Sequence, residues 1–395
     1  MKRIAIFCDG TWNRHDAAYP TNVVQLAQAV KHTAEDGIKQ EVFYVLGVGS
    51  GRGSSGLARS MDRFLGGTLG LGLVENIEEA YRALVFAYEP GDQIYIFGFS
   101  RGAYTARSLA GLIRSCGIPP RKHVHRLGEA MARYRSRDKN THPDDPESFL
   151  FRSDFAPFTA TSEKEWQWRL KTRPAICVNL AINYLGVWDT VGALGVPGFL
   201  SAAKLFNKKY QFHDTDLSRS VASARHAVAI DERRRTFPPS LWDNLDRLNK
   251  LALAGEDDVT LDPATLADWP YRQEWFPGDH STIGGGVAKG GLAAASFGWI
   301  ADGARAAGLD MRPEVIDKIA ADYNVREAIM GKKASMISGL LGFLSQDRAG
   351  PADPITVAEV TKARIACDAT YRPKTLSRVM DAVQRAHGKD PLIPD

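Results

Sequence analysis

The sequence lacks the long apolar run that a membrane-spanning helix requires. Such a helix needs about 20 consecutive apolar residues, and no stretch of this chain approaches that length. The first segment, MKRIAIFCDGTWN, holds a short apolar run, IAIFC, which is too brief for the apolar part of a signal peptide. We therefore expect a protein that is cytoplasmic as synthesised, with any secretion depending on a dedicated apparatus.

The chain has few cysteines, and its net charge is small. The 395 residues include 4 cysteines (Cys8, Cys116, Cys177 and Cys367), whose wide spacing excludes a disulfide framework and paired metal ligands. Basic residues number 50 and acidic residues 46, a net charge of +4 that is too small to indicate a nucleic-acid-binding protein. The composition therefore predicts neither a metal site nor a nucleic-acid partner.

Short apolar segments rich in Ile, Val, Phe and Tyr alternate with longer amphipathic segments along most of the chain. This alternation is typical of βαβ units around a parallel sheet. Strand patterns occur at 3–8, 41–46, 93–99, 175–189 and 226–231, and helix patterns at 21–33, 73–89, 106–117 and 292–308. The predicted fold class is α/β, with a mostly parallel sheet flanked by helices as in α/β hydrolases.

Two regions depart from this alternation. Residues 118–175 are charged, lack apolar strand segments and contain the breakers THP and DDP, which predicts a mostly helical insertion or cap. Beyond residue 310 the sequence is helical and polar, apart from one apolar patch. We expect one domain over 1–310, including the insertion, followed by a helical C-terminal extension over 311–395.

The segment Gly98-Phe99-Ser100-Arg101-Gly102 lies where an apolar strand, IYIF, passes into a helix pattern. In G-x-S-x-G at such a position, small residues on both sides of the serine permit a sharp turn that exposes its hydroxyl. The same turn directs the backbone N–H of Arg101 into the space in front of the serine. The segment predicts a nucleophilic Ser100 supported by Gly98 and Gly102, and the alternative is a structural turn.

A nucleophilic serine needs a histidine base and a carboxylate that orients the base. In hydrolases with this turn, the acid and then the histidine follow the serine along the chain. Of the 9 histidines, His226 and His280 lie downstream in strand-end or loop contexts. His280 is favoured because the glycines of the following STIGGG allow a loop to close over a site, whereas His226 starts an apolar strand.

The carboxylate is expected at the C-terminal end of a strand, where catalytic groups gather in parallel sheets. Asp189 in YLGVWDTVGALG occupies such a position, and so does Asp231 at the end of HAVAID. Asp279 adjoins His280 and is badly placed to orient it. Asp189 is favoured, and Asp231 stays the alternative.

The oxyanion of such an enzyme needs a second N–H donor, usually from the loop after the strand two before the nucleophile strand. Counting back along the predicted strands leads to RIAIFC and its loop, DGTWN. Gly10 or Thr11 is expected to supply the donor and Asp9 to brace the loop. The alternative for this segment is an ordinary turn after a strand.

Two further motifs argue for other functions, and both fail. Residues 51–56 fit G-x-G-x-x-G after a strand, but no strand with a terminal acidic residue follows about 20 positions later, as a dinucleotide site requires. Asp9-Gly10-Thr11 is similar to the aspartyl-phosphate phosphatases of the haloacid dehalogenase class, but Phe7 stands where their nucleophilic Asp is needed. No cofactor is therefore expected.

Two amphipathic segments suggest contact with lipid. FLSAAKLFNKKYQF (199–212) places aromatic and aliphatic residues among lysines, and MISGLLGFLS (336–345) follows a lysine pair. Each is either a surface that touches a membrane or lines an acyl pocket, or a packed helix with a solvated basic face. Peripheral membrane contact is thus one expectation, while the oligomeric state is left open.

Taken together, these residues make the chain resemble the uncharacterised α/β-hydrolase domain family that includes the catalytic domains of type VI secretion phospholipase effectors. The likeness lies in FCDGTWN, GFSRGAYTARSLAGLI, GVWDTVGALG, AIDERRRTFPPSLW and WFPGDHSTIGGG, in the family's order over residues 1–290. The resemblance implies that the family's Ser, Asp and His fall on Ser100, Asp189 and His280.

The resemblance also implies a serine hydrolase that cleaves lipid or phospholipid acyl esters through an acyl-enzyme. Two alternatives remain at this point: a soluble esterase or thioesterase, and a non-catalytic binding protein that retains the hydrolase fold. Secreted members of the family carry large membrane-binding appendages, whereas the tail after residue 310 is short.

Overall fold

Six parallel strands form the central sheet in the computed structural model of the protein. The structure describes residues 1–10, 18–47, 66–172, 177–192, 216–235, 237–288, 290–329 and 345–385, with the side chains of 66–71 excepted. The strands are β1 (Arg3–Cys8), β2 (Gln40–Val45), β3 (Gln93–Phe99), β4 (Thr159–Ala160), β5 (Val178–Asn179), β6 (Tyr184–Trp188), β7 (Ala224–Ala229) and β8 (Tyr271–Phe276). The sheet order is β2-β1-β3-β6-β7-β8, and β4 pairs with β5 apart from it.

Helices cover both faces of this sheet. They are α1 (Asn22–Ala29), α2 (Gly66–Ala87), α3 (Arg101–Cys116), α4 (Leu127–Arg135), α5 (Pro146–Phe155), α6 (Glu163–Thr172), α7 (Leu245–Ala254), α8 (His280–Gly284), α9 (Gly291–Ala306), α10 (Pro313–Ala320), α11 (Glu359–Cys367) and α12 (Met380–Arg385). The predicted α/β class, with a mostly parallel sheet flanked by helices, is confirmed.

Strand β1 shows how the sequence produces the two layers. All six of its residues are buried, as expected for a parallel strand that is covered on both faces. Ile4 and Ile6 belong to the cluster that includes α2 and α3, whereas Ala5 and Phe7 belong to the cluster that includes α1 and α9. Alternate side chains of a strand point to opposite faces, so one short apolar segment contributes to both cores.

Helix boundaries differ clearly from the predicted ones at three places. Helix α2 begins at Gly66 rather than at 73. Helix α3 begins at Arg101 rather than at 106, because the strand passes into the helix at Ser100 without a connecting loop. Helix α1 ends at Ala29 rather than at 33, because Val30 forms a bridge with Met311. The differences at α3 and α1 arise from contacts between distant parts of the chain, which the spacing of apolar residues within one helix does not predict.

The region predicted as a helical insertion, 118–175, carries α4, α5 and α6 together with β4, which pairs with β5 just beyond that region. A buried charge cluster joins two of these helices, since Glu165 accepts hydrogen bonds from Arg152 at 2.8 Å and from Arg169 at 2.6 Å. Strand β4 was not expected, because a two-residue strand has no readable alternation, and the predicted strand segment 175–189 contains two strands, β5 and β6.

The C-terminal residues pack against the last strands of the sheet. Val357 forms a parallel bridge with Trp275 of β8, and one buried cluster contains Val228 and Trp275 from the sheet with Ile365, Leu376 and other residues of the tail. The division at residue 310 stays a prediction, but the described tail shares a core with the sheet. No helix within the described ranges is long and apolar enough to cross a bilayer.

Candidate active site

Ser100 occupies the turn between β3 and α3 in a backbone conformation that serine rarely adopts. Its φ is 60° and its ψ is −123°. The turn is tight because α3 crosses close to the end of β1: a Cβ at Gly102 would lie 2.1 Å from the carbonyl oxygen of Cys8. A Cβ at Gly98 would lie 2.4 Å from the carbonyl oxygen of Gly102. The two glycines therefore permit the crossing that holds Ser100 at the C-terminal edge of the sheet.

The structure brings Ser100, His280 and Asp189 together. The Oγ of Ser100 lies 2.7 Å from Nε2 of His280, and Nδ1 of His280 lies 2.6 Å from Oδ2 of Asp189. Asp189 directly follows β6, and His280 is the first residue of α8. A carboxylate accepts but does not donate, so Nδ1 carries the hydrogen and Nε2 accepts from the serine hydroxyl.

The ring of His280 is held from several sides. Its centroid lies 4.7 Å from that of Phe99 and 4.9 Å from that of Phe237. Its backbone N–H donates to the carboxylate of Glu232 at 3.3 Å. These contacts fix the orientation of the imidazole, which is what a base needs in order to accept a proton from one particular hydroxyl.

Asp189 is fully buried and fully hydrogen-bonded. Its Oδ1 accepts from the N–H of Ala229 at 2.9 Å and from Nη1 of Arg348 at 2.6 Å. Its Oδ2 accepts from Nη2 of Arg348 at 3.0 Å as well as from His280. Burial alone would raise the pKa of Asp189, but the charge of Arg348 and these hydrogen bonds hold that pKa well below its usual range. The carboxylate is therefore ionised at neutral pH.

The first turn of α3 offers an oxyanion donor. The backbone N–H of Arg101 has no acceptor among the described residues, as is usual for the first N–H groups of a helix. The N–H of Gly10 is in a different situation, because it donates to Oδ1 of Asp9 at 2.6 Å. Gly10 is therefore not a free donor in this arrangement, which differs from the expectation, and Thr11 lies outside the described residues.

Asp9 connects the loop after β1 to two neighbouring elements. Its Oδ2 accepts from the hydroxyl of Thr21 at 2.8 Å and from the hydroxyl of Tyr44 at 2.6 Å. Thr21 caps α1, and Tyr44 belongs to β2. The buried carboxylate thus ties the end of β1, α1 and β2 together beside the N-terminus of α3.

His226, the other candidate for the base, makes structural hydrogen bonds instead. Nε2 of His226 accepts from the N–H of Thr190 at 3.1 Å, and Nδ1 lies 2.9 Å from Oε1 of Gln273. Burial lowers the pKa of His226 to about 3. His226 is therefore neutral at pH 7, and it positions the residue that follows Asp189.

The rival carboxylates also have other partners. Asp231 accepts from the N–H of Gly278 at 2.7 Å and from the hydroxyl of Tyr371 at 2.8 Å, and burial raises its pKa. Asp279 caps α8 by accepting from the N–H of Thr282 at 2.9 Å. No hydrogen bond or ion pair joins either carboxylate to the His280 ring within the described chain.

Two residues of the site were missed from the sequence. Glu232 lies within the AIDERRR segment, so its motif was noticed but its contact with His280 was not. Arg348 lies in the polar tail, where no spacing or motif distinguishes it from the other arginines. Three segments with predicted roles, 51–56, 199–212 and 336–344, lie outside the described residues. Within the described ranges, no group of three or more His, Cys, Asp or Glu could hold a metal ion.

Known proteins resemble this chain to different extents. A Saccharomyces cerevisiae protein, "Uncharacterized protein YEL023C", is 26% identical over 259 residues, covering 63% of this chain and 34% of that protein. The crystal structure of an uncharacterised protein from Pseudomonas aeruginosa is 17% identical with a TM-score of 0.39, covering 93% of this chain and 53% of that one. The Tle1 effector solved bound to the VgrG spike of the type VI secretion system is 18% identical with a TM-score of 0.30, covering 72% and 52%.

The chain thus spans about a third of the yeast protein and about half of each solved chain. A family model covers more of the chain than the yeast relative does. The family described as "T6SS, Phospholipase effector Tle1-like, catalytic domain" matches residues 2–303. That match includes β1 to β8, Ser100, Asp189 and His280. On this match, the chain belongs to the family of Tle1-like catalytic domains of type VI secretion phospholipase effectors.

Proposed function

We propose that this chain is a serine hydrolase that cleaves carboxylic esters of lipids, with phospholipid acyl esters as its substrates. The observation that carries the proposal is the unbroken line of hydrogen bonds from Ser100 through both ring nitrogens of His280 to Asp189. Serine, histidine and aspartate in this arrangement form the unit that activates a hydroxyl for acyl transfer. Membership of a phospholipase family supports the lipid substrate.

The reaction follows from the geometry. Ser100 Oγ attacks the ester carbonyl while Nε2 of His280 takes the hydroxyl proton, and Asp189 stabilises the resulting imidazolium. The N–H of Arg101 binds the oxyanion, together with a second donor from the loop after β1. Thr11 is the candidate for that donor, because the N–H of Gly10 donates to Asp9. His280 then protonates the leaving alcohol, and water resolves the acyl-enzyme by the same steps in reverse order.

Arg101 supports a substrate that carries negative charge. Its side chain is half-buried, and within the described chain no carboxylate pairs with it. Burial lowers the pKa of Arg101 to about 10, so the guanidinium is still charged at neutral pH. A cation that pairs with no described carboxylate, one residue from the proposed nucleophile, suits the phosphate of a phospholipid better than a neutral ester.

The family also bears on where the enzyme acts. Its description names type VI secretion effectors, and we propose that this chain leaves the cell through such an apparatus and meets its substrate at a membrane surface. The segments 199–212 and 336–345 are the candidates for that peripheral contact, and of these only Ser345 belongs to the described residues.

A fluorophosphonate probe tests the serine mechanism directly, because such probes label serines that a neighbouring base activates. We expect the wild-type protein to be labelled and Ser100→Ala to be neither labelled nor active on phospholipid vesicles. Ser108→Ala is the matched control, because Ser108 is a buried serine of α3, the helix that follows Ser100, and makes no contact with His280 or Asp189. Equal labelling of Ser100→Ala and Ser108→Ala contradicts the proposal.

The substrate class needs a separate measurement. Phospholipid vesicles, triglyceride emulsions, a water-soluble short-chain ester and an acyl thioester, compared at equal enzyme concentration, separate a phospholipase from a soluble esterase or thioesterase. We expect the highest kcat/KM on phospholipid. A labelled Ser100 without turnover of any of these substrates would instead favour a binding protein that has kept the hydrolase fold.

A further inference from the structure

Arg348 contacts the candidate catalytic acid although it lies beyond residues 2–303, the part of the chain that the family model matches. We propose that Arg348 is a positioning residue of the active site, supplied by the C-terminal region, which holds both carboxylate oxygens of Asp189 in the orientation that His280 requires. This inference rests on the proposed function, because it assigns a role within the same triad. It makes the C-terminal region part of the catalytic unit.

The contact is bidentate and nearly free of solvent. Nη1 of Arg348 donates to Oδ1 of Asp189 at 2.6 Å and Nη2 donates to Oδ2 at 3.0 Å, and the two side chains are 4% and 0% exposed. Paired N–H groups of this kind match a carboxylate in plane and in spacing. They therefore fix the rotation of the Asp189 carboxylate about its Cβ–Cγ bond, which a single hydrogen bond would leave free.

The guanidinium is itself fixed by the sheet and by a neighbouring loop. Nη1 also donates to the carbonyl oxygen of Ala229 at 2.8 Å, and Nη2 donates to that of Phe237 at 2.8 Å. Ala229 ends β7, and Phe237 contacts the ring of His280. Arg348 thus joins the acid, the strand beside it and the residue that packs on the base.

The segment that carries Arg348 is attached to the loop after β7. The N–H of Gln346 donates to the carbonyl oxygen of Arg233 at 2.7 Å, Asp347 pairs with the Arg233 side chain at 3.0 Å, and Ser345 forms a bridge with Arg234. The two backbone contacts align the segment so that the side chain of Arg348 enters the site. Asp347 offers a control, because it does not touch the triad and its partner Arg233 is 60% exposed, and an exposed ion pair contributes little to stability.

Arg348 has a second effect, through its charge. Among the described residues, the charged groups that surround the His280 ring and its carboxylate are Asp189, Glu232, Asp279, Arg234 and Arg348. Arg348 is the cation that contacts Asp189 directly, so it offsets part of the negative charge that would stabilise the imidazolium. Removing this cation favours the protonated base, and the pH below which activity is lost should therefore rise.

The decisive experiment compares Arg348→Gln with Asp347→Asn in the full-length protein. For Arg348→Gln we expect kcat on a short-chain ester to fall roughly 10- to 100-fold, as when a catalytic group is misplaced, with little change in KM. We also expect the acid limb of the kcat/KM profile to move up by about one pH unit. Asp347→Asn should keep both the wild-type kcat and the wild-type acid limb.

If Arg348 served only to stabilise the fold, Arg348→Gln would lower the melting temperature but leave the acid limb of the kcat/KM profile in place. If Arg348→Gln does not fold, Arg348→Lys decides, because lysine keeps the charge but loses the paired donors. We expect Arg348→Lys to keep the acid limb and to lose at least about tenfold in kcat.

A kcat and a pH profile of Arg348→Gln equal to those of Asp347→Asn overturn the proposal. If Arg348→Gln is unfolded, a kcat of Arg348→Lys equal to the wild-type value does so. Fluorophosphonate labelling of the wild type distinguishes a failure of the proposed function from a failure of this inference. An unlabelled wild type contradicts the serine-hydrolase function itself. A labelled wild type whose Arg348 variants keep full activity contradicts only the role of Arg348.

Discussion

Within the described chain, Ser100 and Asp189 are the two non-glycine residues with a positive φ, at 60° and 37°. Such backbone conformations cost about 1–3 kcal/mol each and persist where the surrounding structure imposes them. At Ser100 the backbone is constrained by the crossing of α3 over the end of β1. At Asp189 it is constrained by hydrogen bonds with Ala229, His280 and Arg348. The two strained residues are the proposed nucleophile and the proposed acid, so strain and chemistry coincide.

At the same scale, Arg101 allows the substrate class to be tested. In Arg101→Gln the backbone N–H that binds the oxyanion is retained, but the cation is lost. We expect kcat/KM on phosphatidylglycerol in mixed micelles to fall about tenfold, the size of one hydrogen bond between charged groups. Turnover of the uncharged ester p-nitrophenyl butyrate should change much less.

Arg247→Gln serves as the charge-matched control for Arg101→Gln. Arg247 is an exposed residue of α7, and it pairs with Asp257. It should leave both rates unchanged. Equal losses of Arg101→Gln on the anionic and the uncharged substrate would show that Arg101 acts on the site in general and does not recognise phosphate.

Among the elements, the crossing of β1 and α3 places Ser100, the proposed nucleophile. Asp9 ties the loop after β1 to α1 and β2, and Gly102 lets α3 approach the carbonyl oxygens of that strand end. The G-x-S-x-G spacing predicted a sharp turn between a strand and a helix at Ser100, and β3 passes into α3 there. The start of α3 at Arg101 was not predicted, because the helix pattern of apolar residues becomes clear only farther along the sequence.

A glycine substitution measures how strictly the crossing is required. In Gly102→Ala the new Cβ would lie 2.1 Å and 2.5 Å from the carbonyl oxygens of Cys8 and Asp9. Backbone atoms cannot move aside cheaply, so we expect a loss of roughly 3 kcal/mol or more in the free energy of unfolding. Denaturant titration followed by tryptophan fluorescence gives this value.

Gly128→Ala is the matched control for Gly102→Ala. Gly128 also lies in the first turn of a helix, α4, but no atom lies within 4 Å of an added Cβ. Alanine should therefore be neutral or stabilising by up to about 1 kcal/mol. Similar effects of the two substitutions would mean that the crossing is less tight than the structure shows.

At the scale of the whole molecule, the tail and the sheet share one buried cluster. Val228, Ile230 and Trp275 from the sheet side pack with Leu376, Val383 and other tail residues. A separate C-terminal domain would unfold on its own, whereas a shared core predicts one transition. This arrangement also places Arg348 against Asp189, the proposed catalytic acid, so stability and activity should depend on the same packing of the tail against the sheet.

Leu376 tests this coupling, because its side chain is 0% exposed within the shared cluster. Leu376→Ala should lower the free energy of unfolding by about 2–5 kcal/mol and leave a single calorimetric transition at a lower temperature. Leu253→Ala, at a residue that is 47% exposed, should change stability by no more than about 0.5 kcal/mol. Two separate transitions in the wild type, with Leu376→Ala affecting only one, would contradict the shared core.

Features that depend on local spacing and on the order of segments could be predicted from the sequence. Apolar strands alternating with amphipathic helices indicated the α/β sheet, and G-x-S-x-G after a strand made Ser100 the candidate nucleophile. Asp189 and His280 could be proposed as its partners, because strand ends gather at one edge of a parallel sheet. Other features depend on how distant elements pack: Gly10 donates to Asp9, Thr190 donates to His226 and Arg348 contacts Asp189. These contacts join positions that no periodicity relates, since a hydrogen bond between distant residues depends on how whole elements pack and leaves no pattern in either segment.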